Sequence, residues 1–338
     1  LVADLAVLRP TYGDAALDFC LIEAGYAGQP VTCVVAQDQP ITKAQFRAAP
    51  QSSELVPDSL FSHSDQQVLW QTPAAETGNR RGWGGRLADL FSASNPNQQL
   101  SMNISIDGEN VFQAGNSVVP YFVGQNGVEG IYFVNQEPWN APRRAAFEAL
   151  RDLNHGHAMQ REYANRMRRA MDNEEMVTAA LDSAPPLGVS FPDTNLGRQL
   201  RMVARLISAR GALQMNRQIF FVGQGGYDTH GSQLADHAPL LGELSAAVSA
   251  FYAAMASMNL GSDVTTFTAS DFGRTLSING DGTDHGWGSH HLVIGDAVRG
   301  GRIFGTPPNL TVGGPDDADW GQVIPTLADD QYAATLAS

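Results

Sequence analysis

The sequence predicts an α/β fold, and three observations carry the prediction. In the second half of the chain, short β-branched or aromatic runs alternate with long helical stretches. That order belongs to a mostly parallel sheet covered by helices. Two of the apolar runs end in loops rich in Asp, His and Gly, at the strand ends where such sheets gather their ligands. The length, 338 residues, allows one large core, with no repeat of solenoid period.

Taken in order, the stretches 17–23 and 31–35 are short apolar runs with strand character. Cys20 and Cys33 lie in them; as a disulfide or as two buried apolar side chains, either use fits the spacing. The stretch 65–86 reads as ordered loop and short helix. Strands are expected over 100–106 and 111–112, separated by the turn signal Asp107-Gly108. From 141 to 181 the chain is strongly helical, with Pro142 in the first turn and Pro185-Pro186 as its stop. Residues 141–190 therefore read as a helical insertion or cap within a single domain spanning 1–338. Seven arginines fall between 143 and 169, beside Glu148, Asp152 and Glu162, the pattern of a solvated face with i,i+4 pairs.

The second half is more regular. Leu196, Leu200, Val203 and Ile207 place one apolar face on a helix over 195–209. RQIFFV at 217–222 reads as a buried strand, 234–258 as a long Ala- and Leu-rich helix, and 264–268 and 291–294 as short strands.

Composition narrows the partners. Thirty-five Asp and Glu against 21 Lys and Arg give a formal charge of −14, which excludes nucleic acid, since phosphate binding needs a basic face. The balance suits a periplasmic or extracellular protein. No run of 18 apolar residues occurs, so no transmembrane segment is expected.

Two clusters offer metal chemistry. GGYDTHGSQLADH at 225–237 follows the 217–222 strand and supplies Asp228 and His230, which can converge in a turn. Carboxylate with imidazole suits zinc, manganese or iron better than calcium; the structural alternative is that Asp228 caps the next helix and His230 bonds a carbonyl. SDFGRTLSINGDGTDHGWGSHH at 270–291 supplies Asp271, Arg274, Asp284, His285 and His290. The planar fork of Arg274 fits a phosphate or sulfate oxygen, or equally an ion pair that shapes the loop. Adjacent His290 and His291 begin a strand and face opposite ways, so at most one addresses the site. His237 falls inside the helical pattern.

FSHSDQQVLWQT, GWGGRLADLF, GGYDTHG, SDFGRT and NGDGTDHGWGSHHLVIGDAVRGG together resemble the hallmark stretches of domain-of-unknown-function family 1501. That family is similar to the alkaline phosphatase and sulfatase superfamily. The resemblance implies an alkaline-phosphatase-like three-layer α/β/α sandwich with a mostly parallel central sheet. It also implies export by a twin-arginine signal, and a chain that lacks its first strand and extreme C-terminus. It makes Asp228, His230, Asp271 and His285 the metal ligands, with Asp284 and His290 orienting them and Arg274 facing the anion. Ser62 and Ser64 are the candidate nucleophiles it offers, with His63 at the same site; the structural alternative is a rigid loop of capping hydroxyls. Phe272 stands where many relatives carry a metal-binding His, so one divalent ion or none is expected, zinc, manganese or calcium.

The expected activity is hydrolysis of an anionic small-molecule phosphate or sulfate ester. The alternative from another class is an inactive hydrolase-like protein that binds a surface polymer or assembles as a homo- or hetero-oligomer. A metal-binding module without turnover is the third reading.

Overall fold

The computed structural model describes residues 43–48, 59–72, 81–132, 134 and 137–337. Cys20, Cys33 and the runs at 17–23 and 31–35 lie outside the described residues. The helices are α1 (Lys43–Ala48), α2 (His63–Gln71), α3 (Trp83–Phe91), α4 (Ala141–Arg151), α5 (Ala158–Ser183), α6 (Asn195–Ser208), α7 (Arg210–Leu213), α8 (Gln233–Ser257) and α9 (Asp329–Ala337). The strands are β1 (Asn103–Ser105), β2 (Tyr121–Phe122), β3 (Ile219–Phe221), β4 (Thr266–Phe267), β5 (Arg274–Ile278), β6 (Thr283–His285) and β7 (Val293–Ile294).

The protein is mixed α/β. Its parallel part is a three-stranded sheet in the order β2-β1-β3. The fourth strand pairs antiparallel with β7, and β5 forms an antiparallel hairpin with β6. The hairpin was not expected, because its glycines and carboxylates read as loop. The predicted strand at 111–112 is a turn instead: the Val111 and Phe112 amides both donate to Gln71 Oε1, at 2.7 and 2.8 Å. A side-chain amide thus takes the place of a sheet partner for those N–H groups. The single helix expected over 141–181 is broken into α4 and α5 by DLNHGH at 152–157.

On α6, Leu196, Leu200, Val203 and Ile207 are buried as its periodicity requires, and Thr194 caps it by accepting from the Gly197 amide. It packs on α8 in one core that also takes β1 and the C-terminal half of α5. By length and composition α8 is the one helix among the described residues apolar enough to cross a membrane; Ala247, Phe251, Ala254 and Met255 seat it in the same core as α6. This layering aims the loop after β3 and the β5–β6 hairpin at a common point.

Candidate metal centre

Backbone bonds join the two site-bearing loops. The Thr283 amide donates to Thr229 O at 3.1 Å, and the Gln233 amide to Asp281 O at 3.0 Å. The approach is close enough to exclude a side chain at Gly282, whose Cβ would lie 2.3 Å from the His230 carbonyl carbon. From the other side, α2 presents its first residue, His63.

Three imidazoles meet one carboxylate at this junction. A nitrogen of His63, a nitrogen of His285 and an Asp228 oxygen lie within 4.8 Å of one another. His230 Nε2 is 2.9 Å from Asp228 Oδ1 and 3.0 Å from His285 Nε2; His285 Nε2 is 3.0 Å from the same oxygen. His63 Nε2 lies 3.2 Å from Asp228 Oδ2. It is close enough for charge attraction but off the line of a hydrogen bond, so it is buried without a hydrogen-bond partner.

The far side of each ring is held. His63 Nδ1 is 2.8 Å from Asp271 Oδ2, His285 Nδ1 is 2.8 Å from Phe61 O, and His230 Nδ1 is 3.2 Å from Asp284 Oδ1. A carbonyl only accepts, so His285 Nδ1 carries the proton and, in the neutral ring, Nε2 carries the lone pair. Asp271 imposes the same tautomer on neutral His63, whereas His230 has a carboxylate at each nitrogen, Asp284 at Nδ1 and Asp228 at Nε2. His230 Nε2 and His285 Nε2 face each other at 3.0 Å, a distance that a proton on His230 Nε2 or a cation between them satisfies. Donors bonded at ~2.0–2.1 Å to a tetrahedral ion stand about 3.3 Å apart. His230 and His285 stand near that distance from each other and from Asp228 Oδ1, and His63 stands near it from Asp228 Oδ2. The residues whose donor atoms come together are therefore His63, Asp228 and His285, and these could hold a divalent ion, with His230 beside Asp228 and His285.

Charges follow the same plan. The Asp271 hydrogen bond, and behind it Asp228, hold the His63 imidazole above its ordinary value against the opposing pull of burial. Burial pushes the Asp228 carboxyl up, but Arg274 and His63 outweigh it and leave it below its ordinary value.

Several expected roles shift. Asp271 bonds His63 and accepts from Gln67 Nε2 at 3.2 Å; it steadies a histidine instead of joining the converging donors. The fork of Arg274 is engaged with the protein: Nη1 donates to Asp228 Oδ1 at 2.5 Å, Nε to Thr283 Oγ1 at 3.1 Å, and Nη2 to Thr283 O. Arg274 thus pairs with Asp228 of the neighbouring loop. Ser62 occupies the N-cap of α2 without a side-chain capping bond, and its hydroxyl lies 3.3 Å from that of Ser64. His290 is exposed, while its neighbour His291 turns to stack on Tyr332; neither joins the cluster. His237 meets the Tyr227 ring edge-on. Phe272 packs its ring 4.8 Å from His63 and 4.6 Å from His285, an apolar wall beside both imidazoles.

Residues 40–317 match the family described as protein of unknown function, DUF1501. The chain belongs to that family. No curated protein and no solved structure matches it. All the converging residues of this DUF1501 member, with the groups that orient them, fall inside the matched span.

Proposed function

We propose that this DUF1501 protein is a metal-dependent hydrolase of phosphate or sulfate esters, built on an alkaline-phosphatase-like three-layer α/β/α sandwich and exported to the periplasm or beyond. The observation that carries the reading is the set of three imidazoles turned toward Asp228 by oxygens on their far sides. Such outer partners recur where histidines ligate metals. Imidazole nitrogens beside a carboxylate oxygen suit zinc best and manganese next, and argue against calcium.

A divalent ion there would polarise an ester oxygen and lower the pKa of an attacking hydroxyl or water. The chain's own residues do the rest. Asp271, Asp284 and the Phe61 carbonyl orient the rings, and Arg274 steadies Asp228. In a chain of charge −14, an anionic ester needs the cation to offset local repulsion. Ser62, next to His63 at the start of α2, is the preferred nucleophile, with Ser64 second; the positive end of the helix dipole favours an anion there.

The second reading, a non-catalytic surface or assembly protein, is favoured by Arg274, whose guanidinium is spent on Asp228 and Thr283 instead of facing a substrate.

Metal analysis of the natively purified protein tests the proposal, with Asp228→Ala and His285→Ala beside it. About one zinc or manganese per chain, lost in both variants, with turnover of p-nitrophenyl phosphate or sulfate, is the expected result. No bound metal after reconstitution with zinc, manganese and calcium would overturn it. Metal without turnover would leave the binding module.

A further inference from the structure

The chain turns back sharply at 319–322, beside the hairpin that carries His285. The Gln322 amide donates to the Asp319 carbonyl at 2.9 Å. Both central residues, Trp320 and Gly321, have positive φ, 53° and 82°. That combination marks a type I′ turn, whose first central position favours Asn, Asp or Gly. Here it holds Trp. The other described non-glycine residues with positive φ are Ser59, Gln214, Ser232 and Asn259, all polar and none aromatic. A bulky side chain in the left-handed region is strained, and burial does not offset the strain, since Trp320 is 71% exposed.

The surroundings hold the turn in place. Asp319 Oδ1 accepts the Trp320 amide at 3.0 Å, and the buried carboxylate of Asp317 accepts the Gly321 amide at 2.9 Å. The Gly321 carbonyl accepts the Leu276 amide of β5 at 2.9 Å. A Cβ on Gly321 would lie 2.8 Å from that same nitrogen, so the turn sits directly on the strand. Gln322 Nε2 donates to the His285 carbonyl at 3.2 Å. Trp320 therefore stands one residue from a contact with β5 and two from a contact with a residue of the metal centre. Leu276, the strand residue bonded by Gly321, is itself 42% exposed. It lies two strand positions, about 7 Å, from Arg274, which pairs with Asp228.

We propose that Trp320 is a specificity-determining residue of the metal centre: with Leu276 it contacts the organic group of the ester and favours a large apolar alcohol over a small hydroxylated one. The inference rests on the hydrolase reading and adds to it the chemistry of the alcohol. Strain that persists because the surroundings over-determine it clusters at ligand contacts. An indole offers a broad, rigid apolar face. Leu276 beside it gives hydroxyl groups no partner, so a polar alcohol would leave its own groups unpaired there.

Calorimetric titration of the zinc-loaded full chain with phenylphosphonate and with hydroxymethylphosphonate tests the assignment, because their C–P bonds resist ester hydrolysis. The wild type is expected to bind the phenyl compound at least about tenfold more tightly. In Trp320→Asn that preference falls below about threefold, while zinc content and the affinity for hydroxymethylphosphonate stay at wild-type values. Asn suits a left-handed turn position, so the variant's denaturation midpoint rises above that of the wild type; a side chain kept for packing would lower it. A lowered midpoint, equal wild-type affinities for the two phosphonates, or a phenyl preference that survives in Trp320→Asn each overturns the proposal. Zinc-loaded protein that binds neither phosphonate sinks the hydrolase reading and this inference together. Turnover of p-nitrophenyl phosphate with equal phosphonate affinities sinks only the role of Trp320.

Discussion

Asp271 shows what residue type alone does and does not say. A carboxylate after a strand end, in a loop shared with His285, belongs to the site on chemistry alone, and it is there. Its position within the site depends on His63, 208 residues away in sequence. Once His63 Nδ1 takes the carboxylate, the imidazole and not Asp271 faces Asp228. Replacing Asp271 by Asn leaves a weaker and ambiguous partner for Nδ1. Affinity for zinc is expected to fall 10- to 100-fold, read by competition with a chromophoric chelator. An unchanged affinity would remove Asp271 from any part in holding the ring. His63 was legible as a site residue from FSHSDQQ, but as a companion of the serines. Nothing local in that segment reveals that its Nε2 ends without a hydrogen-bond partner beside Asp228.

Among elements, the helices were the most legible and the loops' fastenings the least. The periodicity of 195–209 found α6 and its apolar face. It passed over Gln199, which lies on the same face and is fully buried. Its Nε2 donates to Gly223 O at 2.9 Å and its Oε1 accepts the Gly223 amide at 2.9 Å. One side chain thereby ties α6 to the end of β3, the segment that continues into Asp228 and His230. Gln199→Leu keeps the volume and strands both backbone groups. At ~1–3 kcal/mol for each buried group left unpaired, a loss of about 2–4 kcal/mol is expected in denaturant unfolding. A loss below 1 kcal/mol would mean that water replaces the amide. Gln71 fastens the Val111–Phe112 turn by the same device, which is why β-branched and aromatic residues there do not make a strand. The hairpin of β5 and β6 escaped detection for a related reason. Its register shifts between Arg274 and Ile278, and irregular strands lose the two-residue alternation that marks them.

For the whole molecule, the acidic balance sets the long-range field, while the response of stability to pH comes from a few placed groups. Burial, reinforced by neighbouring His290, holds His291 below its ordinary value. A depressed folded-state value makes the neutral ring the stable form in the folded protein. Its contribution is therefore complete above the unfolded value of about 6.5 and is lost as pH falls through the folded value. Stability is expected to decline on acidification from about pH 6.5, before most carboxylates titrate. His291→Phe, which keeps the ring against Tyr332, should flatten that part of the curve. The check is denaturant unfolding at a series of pH values, and an identical slope in the variant would assign the decline to other groups.

By itself the sequence determined the α/β class, the helices of the second half, the family, and the two loops from which the site is drawn. Each depends on periodicity or on residue types close together in the chain. Tertiary structure decided the rest: which atoms of His63, Asp228 and His285 converge beside His230, that Arg274 serves Asp228, and that the parallel sheet joins β1 to β2 and β3 while the other strands pair antiparallel. These outcomes depend on contacts between residues tens to hundreds of positions apart. The side a ring or guanidinium presents is set by the partner it meets across such a distance, and no local pattern encodes that partner.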